Sequence, residues 1–232
     1  RRHTRYPLVT GVQTCALPIY ILDISKLDVN KLKIEKIAFN FQEFVRQIEI
    51  LLGFKAREKG LNFLITTQGV VPEFLVGDHF RLNQVLINVI GNAIKFTEKG
   101  SVSMTISAKQ KTTNNFDIEI EVADTGIGIE EKNLKHIFDS FNQENASIAR
   151  RFGGTGLGLN ISKRLTELMD GTMLMHSKKG VGTKVEIHVP MELANTPDSS
   201  LLQTANLEID ISGKRILIVE DNDFNKIGRA HV

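Results

Sequence analysis

The stretch Asp78-His79-Phe80-Arg81-Leu82-Asn83-Gln84-Val85-Leu86-Ile87-Asn88-Val89-Ile90-Gly91-Asn92-Ala93-Ile94-Lys95-Phe96 divides into two faces when wound as a helix. Leu82, Val85, Leu86, Val89 and Ala93 recur at helical spacing and form the face that must be buried. Asp78 is placed to cap the first turn, and His79 reads as the first helical residue rather than a ligand. Gln84, Asn88, Asn92 and Lys95 follow at steps of four, four and three, so they share one narrow stripe opposite the apolar one. An asparagine amide oxygen is a neutral, hard ligand of the kind magnesium accepts while keeping waters and taking phosphate oxygens. Lys95, one turn further on, could neutralise phosphate charge. For the helix in isolation, a solvated polar face is the simpler reading.

Working outward, the flanking sequence alternates helices with strands. Phe41, Phe44, Val45, Ile48, Leu51 and Leu52 mark an amphipathic helix, and residues 61–67 read as a strand. Beyond the Asp78 helix, residues 102–108 and 116–123 alternate as strands across the polar turn 111–115, which predicts that they pair. A helix over 157–169 and strands over 171–177 and 184–189 complete the series. The pattern predicts an α/β domain large enough for a well-buried core.

Three glycine-bearing segments supply possible chemistry. Asp124-Thr125-Gly126-Ile127-Gly128-Ile129 delivers a carboxylate at a strand end, followed by glycines that let backbone approach a ligand. Such a carboxylate can accept a hydrogen bond from the exocyclic amine of adenine, a bond that the carbonyl of guanine could not donate. Gly153-Gly154-Thr155-Gly156-Leu157-Gly158-Leu159 leads into a helix and would turn backbone N–H groups and the positive helix end toward a polyphosphate. It is neither a Walker loop nor a dinucleotide fingerprint, because it lacks the Gly-Lys-Ser/Thr ending of the first and the glycine spacing of the second. Phe138 and Phe141 bracket a short turn ahead of a polar stretch, 142–152, that reads as a mobile lid or an ordinary surface loop. Gly180-Val181-Gly182-Thr183 reads as a hairpin turn that could back the adenine pocket.

Taken in order, these segments resemble the N, G1, F, G2 and G3 boxes of the histidine-kinase ATP-binding domain, over residues 36–190. The resemblance implies a two-layer α/β sandwich, one mixed sheet covered by helices (the Bergerat fold shared with DNA gyrase and mismatch-repair ATPases), preceded by the end of a helical dimerisation hairpin. It implies ATP and magnesium as cofactors. By resemblance Asn92 would hold magnesium, Asn88 and Lys95 would act at the phosphates, and Asp124 would select adenine. Gly126, Gly128, Phe138, Phe141, Gly154, Thr155, Gly156, Leu157, Gly158 and Thr183 would line the nucleotide pocket. Gyrase-type ATPases carry a glutamate one turn before the magnesium asparagine, where this sequence has Asn88. An amide is a poor base, which favours phosphoryl transfer to a protein nucleophile over hydrolysis. A gyrase-like ATPase that gates a conformational change and a non-enzymatic nucleotide-sensing module stay open as alternatives.

The same resemblance sets expectations for the flanks. His79, His136, His176 and His188 lie within the ATP-binding segment, and none has Ser-His-Glu-type neighbours, so the phosphoacceptor histidine is expected on a preceding hairpin. Residues 20–35, with Ile21, Leu22, Ile24, Leu27 and Leu32 at roughly helical spacing, resemble the end of that hairpin. Residues 191–213 read as a linker, rich in Thr, Ser, Asn and Pro over 195–212. Within residues 214–226, Ile216-Leu217-Ile218-Val219-Glu220-Asp221-Asn222 resembles the first strand of a response-regulator receiver. The implied parent is a homodimeric hybrid sensor kinase whose partners are its own dimerisation and phosphoacceptor domain and a receiver domain. The domain itself would be cytoplasmic, with membrane anchoring of the parent left open.

Residues 1–19 and 227–232 resemble translated sequencing adapter and are expected to be foreign to the fold. The formal charge of +2 includes Arg1, Arg2, Arg5 and Arg229, all in those ends; without them acids outnumber bases. A slightly acidic core offers no electrostatic reason to expect nucleic acid as a partner. The sole cysteine, Cys15, lies in the same N-terminal segment, which leaves no disulfide or Cys-based zinc site elsewhere. No apolar run approaches the roughly 18 residues needed to span a bilayer.

Overall fold

The computed structural model describes residues 32–134, 136–138 and 158–194. Phe141, the loop residues Gly154, Thr155, Gly156 and Leu157, and the expectations for residues 1–31 and 195–232 lie outside the described residues.

The elements run β1 (Ile37–Asn40), α1 (Phe41–Glu58), β2 (Asn62–Gln68), β3 (Phe74–Gly77), α2 (His79–Phe96), β4 (Ser101–Gln110) and β5 (Asn115–Asp124), then the short turn of helix α3 (Glu131–Leu134), α4 (Gly158–Leu168), β6 (Thr172–Lys178) and β7 (Gly182–Leu193). Helix starts follow from capping chemistry. Asn40 accepts the Glu43 N–H through its side chain at 2.9 Å, and Asp78 accepts the Arg81 N–H at 3.0 Å. Asp78 also accepts the Glu35 N–H at 3.0 Å, which ties the segment before β1 to the start of α2.

The strands form one seven-stranded sheet in the order β1-β3-β7-β5-β4-β2, with β6 pairing against the first half of β7. The β2–β4 pair is parallel and the other pairs are antiparallel, which makes the sheet mixed. β4 and β5 pair as expected, with Val102 opposite Asp124 and Gln110 opposite Phe116. One sheet face carries Val102, Met104, Ile106, Ile118, Ile120, Val122, Val185, Ile187 and Val189, all buried. Against it pack Phe41, Phe44, Ile48 and Leu52 of α1, Leu82, Val85, Leu86, Val89, Ile90 and Ala93 of α2, and Ile161 and Leu165 of α4. Each of the larger side chains among them contributes roughly 1.5–3 kcal/mol of transfer free energy, so this interface carries the stability. The opposite sheet face is charged, with Lys109–Glu119 at 2.9 Å and Lys184–Glu186 at 2.6 Å. A sheet covered on one side and wet on the other alternates cleanly, and this is why β4, β5 and β7 are readable as strands.

Three details differ from the sequence expectations. Leu51 is 46% exposed and stands off the buried face of α1, because the apolar stripe runs through Phe41, Phe44, Ile48 and Leu52 instead. Strands β1 and β3 were not expected; at four residues each they are too short to show a period, and they exist by pairing Ile37–Asn40 with Phe74–Gly77. The last strand runs on to Leu193 rather than stopping near 189, and its end pairs with Leu75 and Val76 of β3. Among the described residues no helix is long and apolar enough to cross a membrane.

Candidate functional site

The C-terminal end of α2 and the C-terminal end of β5 meet. The Phe96 carbonyl accepts the Ile127 N–H at 3.3 Å, and the Ser101 carbonyl accepts the Thr125 N–H at 3.1 Å. A Cβ on Gly126 would lie 2.6 Å from the Phe96 oxygen, so only glycine lets this loop press against the helix end. Gly128 has φ of +61°, and a Cβ there would lie 2.0 Å from the Lys178 carbonyl oxygen. The loop is therefore wedged between α2 and the β6–β7 turn, to which the Ile127 carbonyl is tied by the Gly180 N–H at 2.7 Å.

Asp124, the last residue of β5, accepts the Gly126 N–H through Oδ1 at 2.8 Å and a backbone N–H from Thr183, its register partner on β7. Burial pushes its carboxyl above the ordinary value of 3.8, and the two N–H groups work in the opposite direction. A carboxylate held by two backbone donors has a fixed orientation and spare lone pairs, which suits it to accept an N–H from a planar ligand. Ser177 braces this wall. Its hydroxyl accepts the Ile129 N–H, donates to the Gly182 carbonyl and lies beside Thr183 Oγ1, each at 2.9 Å.

The α2 stripe faces α4. Asn88 donates from Nδ2 to the hydroxyl of Ser162 at 2.8 Å, and Asn92 Nδ2 points to Asn88 Oδ1 at 3.5 Å. Lys95 sits beside the Phe96 ring, 4.9 Å from its centroid, and burial pushes its ammonium below the ordinary value of 10.5. Gly158 opens α4 directly opposite Asn88. The Phe138 carbonyl accepts the Asn160 amide at 2.6 Å, and its ring lies under Lys163 and against the core. Of the expected site residues, Asn88, Asn92 and Lys95 thus share one stripe and Asp124, Gly126, Gly128 and Thr183 one wall, with the two joined at Phe96. Neutral amide oxygens on α2 suit a hard cation that keeps waters and takes phosphate oxygens. Among the described residues no cluster of His, Cys, Asp and Glu could hold a metal by itself.

Residues 77–193 match the model of the family described as histidine kinase-, DNA gyrase B- and HSP90-like ATPase. The chain belongs to this family. It is 35% identical over 202 residues to the signal transduction histidine-protein kinase BarA of Escherichia coli K12, covering 87% of this chain and 22% of BarA. It is 35% identical over 228 residues to the autoinducer 2 sensor kinase/phosphatase LuxQ of Vibrio cholerae, covering 97% of this chain and 26% of LuxQ. The chain thus spans about a quarter of the length of these curated relatives. Among solved structures, full-length ShkA in complex with AMPPNP superposes with a TM-score of 0.67 at 28% identity, covering 81% of this chain and 38% of that one. The nucleotide-free catalytic domain of the histidine kinase ThkA superposes with a TM-score of 0.52 at 25% identity, covering 67% of this chain and 95% of that one. The α/β sandwich expected for the family is therefore the fold observed.

Sequence reasoning missed the residues that hold the polar groups of this stripe and wall in place. Ser162 and Thr166 are both buried in α4, one turn apart and flanked by Ile161 and Leu165. A pair of hydroxyls on an apolar helix face was the available signal. Ser177 and Asn160 act through contacts distant in sequence and gave none.

Proposed function

We propose that this chain binds Mg-ATP and that, in its parent, the bound nucleotide passes its γ-phosphoryl group to a histidine in two-component signal transduction. The junction at Phe96 carries this reading. One helix end joins a row of phosphate-compatible groups to a clamped carboxylate suited to an adenine amine. In this scheme Asp124 accepts the adenine N–H, Gly126 and Gly128 allow the base to approach backbone, and Lys95 offsets phosphate charge. Asn92, with Asn88 beside it, would hold magnesium, which supplies charge neutralisation at the phosphates when bound. In the transfer, the bond from the γ-phosphorus to the bridging oxygen breaks, a phosphorus–nitrogen bond to imidazole forms, and ADP leaves. Asn88 cannot act as a base toward water, which keeps hydrolysis from competing.

Residues 36–190 would form the ATP-binding domain, with 20–35 closing a dimerisation hairpin, 191–213 a linker, 214–226 the start of a receiver, and 1–19 and 227–232 foreign ends. The partners would be the dimerisation domain that presents the histidine and a receiver that takes its phosphoryl group. A fluorescent ATP analogue titrated into the chain with and without magnesium tests this reading. Magnesium-dependent binding that is displaced by ATP and weakened at least about tenfold in Asn92→Ala supports it. No binding in magnesium would end it.

A further inference from the structure

The Asn88 side chain is held between α4 and Asn92. Its Nδ2 donates to Ser162 Oγ at 2.8 Å. Its Oδ1 is turned toward Asn92, whose Nδ2 lies 3.5 Å away, and toward Gly158, where a Cβ would lie 2.3 Å from that oxygen. Ser162 is only 2% exposed, and its own carbonyl accepts the Thr166 hydroxyl at 2.8 Å, so its position is set by the interior of α4 rather than by solvent.

We infer that Ser162 is a positioning residue that holds the Asn88 amide in place beside Asn92 and the start of α4, so that the stripe keeps the geometry that a magnesium bound through Asn92 would need. This rests on the Mg-ATP reading above and adds to it the group that fixes where the Asn88 amide stands. The hydroxyl acts through Asn88 and need not touch the nucleotide. Gly158 is required at the same point because any side chain there would displace the amide that Ser162 holds.

The test uses the full chain and a fluorescent ATP analogue, titrated in magnesium and again in EDTA, with Ser162→Ala, Ser162→Thr, Asn88→Ala and Ser162→Ala/Asn88→Ala. Losing a hydrogen bond that supports the groups around a metal ligand costs about tenfold or more in metal affinity. Ser162→Ala is therefore expected to need about tenfold more magnesium for half-maximal binding while its affinity in EDTA stays within about twofold of the unaltered chain. Ser162→Thr, which keeps the hydroxyl, restores the magnesium response, and the double variant is no worse than Asn88→Ala alone. Equal losses in magnesium and EDTA would reduce Ser162 to a packing role and overturn the inference. So would an unchanged magnesium midpoint in Ser162→Ala. Failure of the unaltered chain to bind in magnesium would instead remove the function reading, and this inference with it.

Discussion

Gly182 stands directly over the backbone of Asp124: a Cβ at Gly182 would lie 1.9 Å from the Asp124 carbonyl oxygen, and its φ of +136° is one that L side chains rarely adopt. The glycine that starts β7 thus allows the strand to close on the residue whose carboxylate the neighbouring Thr183 N–H helps to hold. Gly182→Ala should cost about 2–4 kcal/mol in urea unfolding, from backbone strain and overpacking together. Because the strained contact is with Asp124, nucleotide affinity should fall even where the variant is still fully folded. A variant as stable as the unaltered chain would show that β7 can shift without penalty.

Lys59 closes the C-terminus of α2 from outside. Its ammonium donates to the carbonyls of Ile94 and Lys95, both at 2.6 Å, satisfying groups that a helix end leaves open. Lys59→Met keeps the stem and removes the donors, and should lower stability by about 1 kcal/mol, read as a shift in the urea midpoint at unchanged slope.

Glu130 links the loop after Asp124 to the β6–β7 turn through Lys179, and it also pairs with Lys132 of α3. The hydrogen bonds from Lys132 and Lys179 and their charges push its carboxyl from 4.5 down to about 2. A carboxyl lowered on folding stabilises above its unfolded value and loses that contribution as pH falls through its folded one. The chain should therefore lose stability between about pH 4.5 and 2, and Glu130→Gln should flatten that part of the profile. Since the group is partly open to solvent, added salt should shrink the difference; a thermal melt series over this pH range, with and without salt, reads both effects.

The sequence was most legible where burial was one-sided. α2, β4 and β5 each place every buried residue on one periodic face, so their limits were readable to within two residues. Helix α1 was read with Leu51 on the wrong face, because adjacent leucines at 51 and 52 cannot be told apart by spacing alone. β1 and β3 depend on each other and on β7, and no local signal announces a partner. At the site, Asn88, Asn92, Lys95 and Asp124 were visible as a stripe and a strand end. Their supports were not. The bond from Asn88 to Ser162 crosses 74 positions, and that from Ile129 to Ser177 crosses 48. Contacts of that range are products of topology, and a serine that completes one is indistinguishable in sequence from a serine that does not.

Titration calorimetry with ATP and with GTP in magnesium, on the unaltered chain and on Asp124→Asn, reaches the core of this scheme. Burial raises the Asp124 carboxyl above 3.8, so its folded-state advantage belongs to the protonated form and is lost as pH rises through the folded value. At neutral pH the charge is a burden that asparagine relieves while still accepting the Gly126 N–H. The expected result is a preference for ATP over GTP of at least about tenfold, and a loss of ATP affinity of at least about tenfold in Asp124→Asn, with its melting temperature unchanged or raised. Equal affinity for the two nucleotides, or an Asp124→Asn variant that binds ATP as tightly as the unaltered chain, would contradict it.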